Sequence, residues 1–423
     1  MPLKIAIVGA GPAGCMLARL LQQQPNVSVT VFESEPSIDY RSQGGSLDLH
    51  EQMGLLAIKR AGLHDAFLAH ARYDGEALLV CDGQMKPYIT LGQGTDAAHS
   101  RGRPEIDRAD LRRILLESLP AATVRWSHRL QRVRDDGRTL EFVDGTTATG
   151  YDLVVGGDGA WSRVRALLCD TKPEYAGMGG FQLNIPNAAE TAPECAARVN
   201  RGAIFAYSTG CMMSAQQLSD GSINMGLWRV RPEGWEKQVE YDLTDGRAVR
   251  EAQQREFADY APEMLHFVDR AVDSSRMMSR SFYAMPVGFR WAHRPGVTLI
   301  GDAAHVICPF TGEGVNQALM DALQLAEAIH AAAADSGDVA AALDSRVRRY
   351  EDTLYARAAV FQKRAADVAH TMYFTEGSPA TTIEFYALQN LKNSMSPAKY
   401  KAMYPLLATG VYGYFFWQKH FHS

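Results

Sequence analysis

The sequence predicts an α/β chain: a parallel βαβ opening with an antiparallel meander set into it, a second and mainly antiparallel sheet, and C-terminal helices. Three observations carry that prediction. An apolar run at Leu3–Val8 passes directly into a glycine turn, a helical pattern and a second apolar run. Two aspartate-glycine pairs, Asp136-Gly137 and Asp144-Gly145, separate alternating segments inside the same region. Beyond residue 334 the apolar spacing is largely helical.

Composition permits such a fold and narrows the function. With 423 residues, 46% hydrophobic and 22% charged, the chain can bury a sizeable core in two or three domains. Its 43 Lys plus Arg against 48 Asp plus Glu leave a formal charge of −5. That balance excludes a strongly basic nucleic-acid binder and a disordered, charge-extended chain. Six cysteines without a C-x-x-C pair give no zinc or thioredoxin-like spacing, so no metal site is expected. They are also too sparse for a disulfide framework. The first apolar run leads into glycines and not into a cleavage-site pattern, so a reducing, cytoplasmic setting is expected.

Taken in order, Leu3–Val8 reads as a buried strand, residues 15–24 as a helix stopped by Pro25-Asn26, and Val27–Phe32 as a second strand ending at Glu33. Asp107 is placed to cap a helix from Arg108 to Leu119, with Pro120 as its stop. The period then changes to two over Val124–Arg134, Thr139–Val143 and Thr146–Ala148, and residues 151–155 return to a buried strand. Phe181–Ile185, Ile204–Tyr207, Met212–Leu218 and Ser222–Arg229 read as a mainly antiparallel sheet, which the stretch Glu76–Thr90 is expected to join. Val297–Ile300 resumes the first pattern, a long helix starts at about Val315, and 340–372 is helical again.

The resulting division is 1–72, 97–170 and 281–333 for the first domain, 73–96 and 171–280 for the second, and 334–423 as a C-terminal helical region. Near the end, Ala402–Gln418 carries no charge and is rich in aromatics. Pro405, Gly410 and Gly413 make it a poor membrane span, and a packed helix is expected, with interfacial membrane contact the less favoured reading.

Three glycine clusters carry the chemistry. Gly9-Ala-Gly11-Pro12-Ala13-Gly14 stands between a strand and a helix, where the first glycine allows the turn, the second lets backbone approach a pyrophosphate, and the third allows close packing. Glu33, at the end of the next strand, can accept from ribose hydroxyls. The second cluster, Gly156-Gly-Asp158-Gly159, again follows a strand. The third joins Gly301-Asp302 to a loop, Pro309-Phe-Thr-Gly312-Glu-Gly314-Val315-Asn316, that runs into a helix whose N-terminal dipole suits an anionic ring.

In this order the three clusters resemble the GxGxxG, DG and GD motifs of the class A flavoprotein monooxygenases, the para-hydroxybenzoate hydroxylase-like fold, over nearly the whole chain. The stretches Gly44-Gly-Ser-Leu-Asp48-Leu-His50 and Pro104-Glu-Ile-Asp-Arg108-Ala-Asp-Leu-Arg112 are similar to the tetracycline-inactivating branch. The resemblance implies a Rossmann-like, glutathione reductase-type FAD domain, with FAD contacts from Glu33, Asp48, Arg108, Arg112 and Asp302. Gly9, Gly11, Pro12, Ala13, Gly14, Asp158, Gly301, Pro309, Gly312, Gly314, Val315 and Asn316 complete the expected cofactor set. Arg108 and Arg112, four apart on one helix face, would repel without an anionic partner, and a shared one is expected.

The resemblance also implies the reaction: NADPH or NADH reduces FAD and leaves, oxygen adds to give a C4a-hydroperoxyflavin, and one oxygen atom passes to an aromatic, phenolic or polyketide-like ring system. Rival readings are a flavin reductase or oxidase on the same fold, and a flavin-bound binding protein. In the substrate region Gln182 matches a drug-contacting Gln, while Ala203 and Asn224 stand where that branch has Arg and His; Met225 is a further candidate. Two more departures are Ser34, where the branch has Arg, and Glu313 in place of a common Gln. His305 is a candidate base, although a structural role is preferred for it, and Cys308 reads as a small buried side chain. Met212, Met213, Tyr207, Trp228 and Tyr283 suit a flat substrate or an ordinary core. A small-molecule substrate and O2 are the expected partners, with the protein a monomer or weak dimer.

Overall fold

The computed structural model describes residues 2–40, 45–72, 77–92, 104–272, 278–393 and 395–421. Gly44, Glu76 and residues 97–103, which figure in the expectations above, lie outside these. The chain divides into two compact units: Met1–Arg72, Gly102–Ala176 and Tyr283–Ala365 in the first, and Tyr73–Arg101, Gly177–Phe282 and Ala366–Ser423 in the second. The expected C-terminal region 334–423 is shared between them, divided after Ala365.

The first unit is built on a parallel five-stranded sheet ordered Val297–Leu299, Leu153–Gly156, Leu3–Val8, Val27–Phe32, Val124–Arg125. Its strands are almost continuously apolar because helices cover both faces. Ile5 and Ile7 are fully buried, and Ile5 stands in register with Leu153 on one side and Val29 on the other. The helix Pro12–Leu21 starts with Pro at its first position, where the missing N–H costs nothing, and packs against the helix Gly314–Ala333.

The expected strand Val124–Arg134 is broken in two. Val124–Arg125 joins the parallel sheet, whereas Leu130–Val133 pairs with Leu140–Phe142 in the meander. Ser127, at φ +60°, turns the chain between them, and the amides of Ser127 and His128 donate to the carbonyls of Glu35 and Glu33. At the two meander turns Asp136 and Asp144 each accept from residues two positions on, and Gly137 and Gly145 take positive φ. The helix after Asp107 runs Arg108–Glu117, but Asp107 does not cap it; its carboxylate lies 3.7 Å from Arg72, which also pairs with Glu105 at 3.2 Å.

The second unit carries a seven-stranded sheet ordered Met278–Ala284, Glu174–Ile185, Ile223–Val230, Cys211–Gln217, Ala203–Ser208, Leu78–Asp82, Pro87–Leu91. The described part of the expected 76–90 stretch therefore supplies two of its strands. One face packs Phe181, Leu183, Met213, Met225 and Leu227 against the helices Gly246–Glu256 and Pro262–Arg270. The unit ends in the helices Ile383–Asn393 and Pro397–Phe421.

Candidate functional site

In the first unit, three glycines separate structural need from ligand need. A Cβ on Gly14 would stand 2.0 Å from the Gly9 carbonyl oxygen, and one on Gly9 would stand 2.3 Å from the Gly157 oxygen. Those two positions are closed by packing, and Gly9 also needs its φ of +103°. A Cβ on Gly11 would meet nothing within 4 Å. Gly11 caps the helix Pro12–Leu21, where no side chain caps the first-turn amides. Packing among the described residues therefore does not require glycine at Gly11.

Glu33 is buried at the end of the second strand. Its Oε2 accepts from the Ala10 amide at 2.6 Å, and its Oε1 accepts from the Glu35 amide and the Ser34 hydroxyl, each at 2.9 Å. Ser34 thus orients the carboxylate, and one lone pair on Oε2 remains for a ribose hydroxyl.

The two arginines part company. Arg112 is buried, donates to Glu35 Oε2 at 2.7 Å and reaches the Ala10 carbonyl at 3.2 Å. The expected shared anionic partner is thereby corrected: Arg112 is neutralised within the protein by Glu35, 77 positions away in sequence. Arg108 makes no side-chain hydrogen bond among the described residues. Asp302, likewise without a side-chain partner among them, is the nearest compensating charge acting on it. Both groups are open to solvent by surface area. Yet desolvation dominates each, lowering the guanidinium and raising the carboxyl from their ordinary values.

Asp158 is turned inward. Its carboxylate accepts from Ser162 Oγ at 2.6 Å and from the Arg163 amide at 2.7 Å, and burial raises its pKa. Arg165 then ties this cluster to the third by donating to the Ala303 carbonyl at 2.8 Å. His305 is 2% exposed, with Nε2 2.6 Å from Asp321 Oδ2. The same oxygen accepts from the Gly301 amide at 2.7 Å, and Arg357 pairs with the other. Burial works to lower the His305 pKa, but the Asp321 carboxylate outweighs it and holds the imidazole above its usual value. In this arrangement His305 braces the Gly301-Asp302 turn.

The loop from Pro309 to Asn316 is fastened to the segment after Asp48. Asn316, fully buried, accepts at Oδ1 from the amides of His50 at 2.8 Å and Gly54 at 3.3 Å, and donates to the Asp48 carbonyl at 2.9 Å. Its side chain is engaged by the protein, so the helix start it was expected to present meets a ligand through backbone. His50 stands 3.1 Å from Asp48 and 3.4 Å from Glu313, and Glu313 pairs with Arg364 at 2.9 Å. Arg364 thus compensates the carboxylate that stands in place of the common Gln. Pro309 and Gly312 are exposed, Val315 is buried, and a Cβ on Gly314 would meet nothing within 4 Å. The helix that follows has no side-chain cap.

Sequence reasoning missed the roles of Arg165, Asp321, Arg357 and Arg364. One signal existed: Asn316, Gln317, Asp321 and Gln324 form a polar stripe in an otherwise apolar helix, and buried polar groups require partners. Cys308 is buried, and desolvation pushes its thiol up to about 12.

In the second unit, strand alternation divides the substrate candidates. Met225 and Met213 are fully buried in the core, so the expectation that Met225 faces a ligand is corrected. Gln182, Asn224, Trp228, Met212 and Tyr207 lie on the opposite face. There Gln182 Nε2 donates to Asn224 Oδ1 at 2.8 Å, and Arg280 donates to Gln182 Oε1 at 3.2 Å. Ala203 shares that face and leaves it uncrowded. Tyr283, in the first unit, packs edge-on between Trp161 and Tyr175.

The first unit therefore suits a long anionic cofactor with hydroxyl groups: open space at Gly11 and Gly314, two uncapped helix starts, and an acid and a base that make no side-chain hydrogen bond among the described residues. The FAD binding domain family matches residues 3–352. A monooxygenase of Emericella nidulans, asqM, is 30% identical over 414 residues, covering 84% of this chain and 92% of that protein. The 3-amino-4-hydroxybenzoate 2-monooxygenase of Streptomyces cremeus is 30% identical over 386 residues, covering 90% of each. Among solved structures, Klebsiella pneumoniae HpxO complexed with FAD and uric acid superposes with a TM-score of 0.72 at 20% identity, covering 97% of this chain and 96% of that one.

Proposed function

The chain belongs to the FAD binding domain family and is an FAD-dependent monooxygenase, and from that premise we propose that it hydroxylates an aromatic, phenolic or polyketide-like multi-ring small molecule with NADPH or NADH as transient donor. The observation that supports the cofactor assignment is the strand–turn–helix of Gly9 to Gly14, uncapped at its helix start and open above Gly11.

FAD held by these residues would supply the redox chemistry of the reaction, in which two electrons from the donor and O2 give one oxygen atom in the product and the other in water. The protein's own tasks follow from its residues. The backbone at Gly11 to Gly14 and the positive helix end receive the pyrophosphate. Glu33 takes a ribose hydroxyl, Asp302 a ribityl hydroxyl, and Arg108 an anionic group of the cofactor. Asp321, through His305, Arg357 and the Gly301 amide, keeps the Asp302 turn from moving. Asp48 and the Pro309–Asn316 loop are held as one body by the Asn316 and His50 contacts.

For the substrate, the Gln182–Asn224 amide pair is the proposed polar contact. With Gln182 held by Arg280, the Asn224 amide nitrogen is left to donate to a carbonyl or phenolate oxygen. Trp228, half-buried, offers flat apolar surface beside it, whereas Met212 and Tyr207 are buried, Tyr207 against Tyr373. The names of the two curated relatives, both monooxygenases and one acting on a hydroxybenzoate, support this class. The six cysteines are free, which supports a reducing, cytoplasmic setting, and we take the protein to be a monomer or weak dimer.

The test is a visible spectrum of the purified protein before and after NADPH without oxygen, then product mass spectrometry under heavy-isotope dioxygen. A flavin band that bleaches and returns in air, with label in the product, is expected. A colourless protein that takes up no FAD overturns the cofactor assignment. Label absent from every product overturns oxygen transfer and leaves the reductase reading.

A further inference from the structure

The C-terminal helix Pro397–Phe421 buries Phe415 and leaves other large apolar side chains exposed. Phe415, 4% exposed, lies on the packed face. That face is pinned where Lys419 pairs with Glu384 at 2.6 Å and Gln418 donates to the Pro87 carbonyl at 2.9 Å. On the opposite side Leu406, Gly410, Tyr414, Trp417 and Phe421 recur at spacings of four, four, three and four, which aligns them along one helix stripe. Leu406 is 71% exposed, Phe421 70%, and Tyr414 and Trp417 about half. No helix among the described residues is long and apolar enough to cross a membrane.

Charge decides among the possible covers of this stripe. Residues 383–423 contain four lysines and one Glu, so the chain's formal −5 is +3 there and −8 elsewhere. Lys399 and Lys401 are exposed at the start of the helix and Lys392 just before it. A second copy docking through the same stripe would bring like charge against like. An anionic lipid surface complements the lysines, and Trp, Tyr and Phe beside Leu are the residues that settle at the headgroup–acyl boundary.

We propose that the helix Pro397–Phe421 docks the protein peripherally on an anionic bilayer surface, burying the Leu406–Phe421 stripe among the lipid headgroups. The FAD-loaded protein is to be co-sedimented with vesicles of phosphatidylcholine alone and of phosphatidylcholine with 30% phosphatidylglycerol, a composition about midway between neutral and strongly anionic surfaces. Binding to the anionic vesicles only, weakened by salt, is expected. Lys399→Gln with Lys401→Gln should lower the partition coefficient about 25-fold, at about fivefold per lysine. Leu406→Ser and Phe421→Ser together should abolish binding while leaving flavin content and melting temperature unchanged. Absence of binding to anionic vesicles overturns the proposal, as does equal binding to both vesicle types. So does a stripe-dependent dimer in light scattering without vesicle binding, which would assign the stripe to a second copy.

Discussion

Replacing Gly11 and Gly14 by alanine, one at a time, separates cofactor binding from folding. At Gly14 the new Cβ would lie 2.0 Å from the Gly9 carbonyl oxygen, a backbone atom inside a packed helix–strand contact. Relief requires the helix Pro12–Leu21 to move off the sheet, and overpacking of this kind costs about 1–3 kcal/mol or more. At Gly11 the Cβ meets nothing, and φ −75°, ψ 177° is a conformation that alanine adopts freely. Exchanging glycine for alanine at a helix N-cap costs about 1 kcal/mol at most. The methyl group would, however, fill the space a pyrophosphate needs. Loss of one charge-assisted hydrogen bond costs about 1.5–3 kcal/mol, or roughly 10- to 150-fold in Kd. The assay is thermal unfolding of flavin-stripped protein beside fluorescence titration with FAD. Gly11→Ala should keep its melting temperature within a few degrees and lose FAD affinity; Gly14→Ala should unfold early or fail to fold. A Gly11→Ala protein that binds FAD as tightly as the parent refutes the reasoning.

Three further outcomes follow from the same contacts. Arg112→Ala should destabilise the flavin-free protein by about 3–5 kcal/mol, because Glu35 is left charged and buried; Arg108→Ala should leave that stability unchanged and weaken FAD instead, and urea unfolding with flavin titration distinguishes the two. His305→Gln should cost most stability at low pH. The folded His305 pKa is raised, so its contribution is complete below about pH 6.5, the unfolded value, and is lost as pH rises through the folded one; unfolding free energies of parent and variant at several pH values should converge at high pH. Asn316→Ala orphans two amides and a carbonyl at a cost of about 3 kcal/mol; hydrogen exchange at His50 and Gly54 should accelerate while exchange in Leu3–Val8 stays slow.

The features legible in the sequence were those with local causes. Gly9, Gly11 and Gly14 announce a strand–turn–helix because φ limits and close approach act over six residues. Asp136-Gly137 and Asp144-Gly145 specify their turns through their own side chains and positive φ. The alternation in Ile223–Val230 also puts Asn224 and Met225 on opposite faces, although both stood as substrate candidates.

Which of those faces is the core was decided by helices that follow the strand, Gly246–Glu256 and Pro262–Arg270, and no residue within the strand carries that information. The same holds for Arg112 and Asn316. As a sequence, Arg108 and Arg112 are equivalent neighbours on one helix; the fold gives one of them Glu35 and leaves the other with no side-chain hydrogen bond among the described residues. Asn316 is joined to an amide 266 positions away, a pairing that only closure of the first unit creates. The C-terminal helix was legible as an uncharged aromatic segment, but the sequence could not say that it buries Phe415 and leaves Leu406, Trp417 and Phe421 in water. Backbone geometry and turn chemistry act between near neighbours and are written in the order of residues. Burial and charge compensation act between surfaces, and the surfaces exist only once the chain has folded.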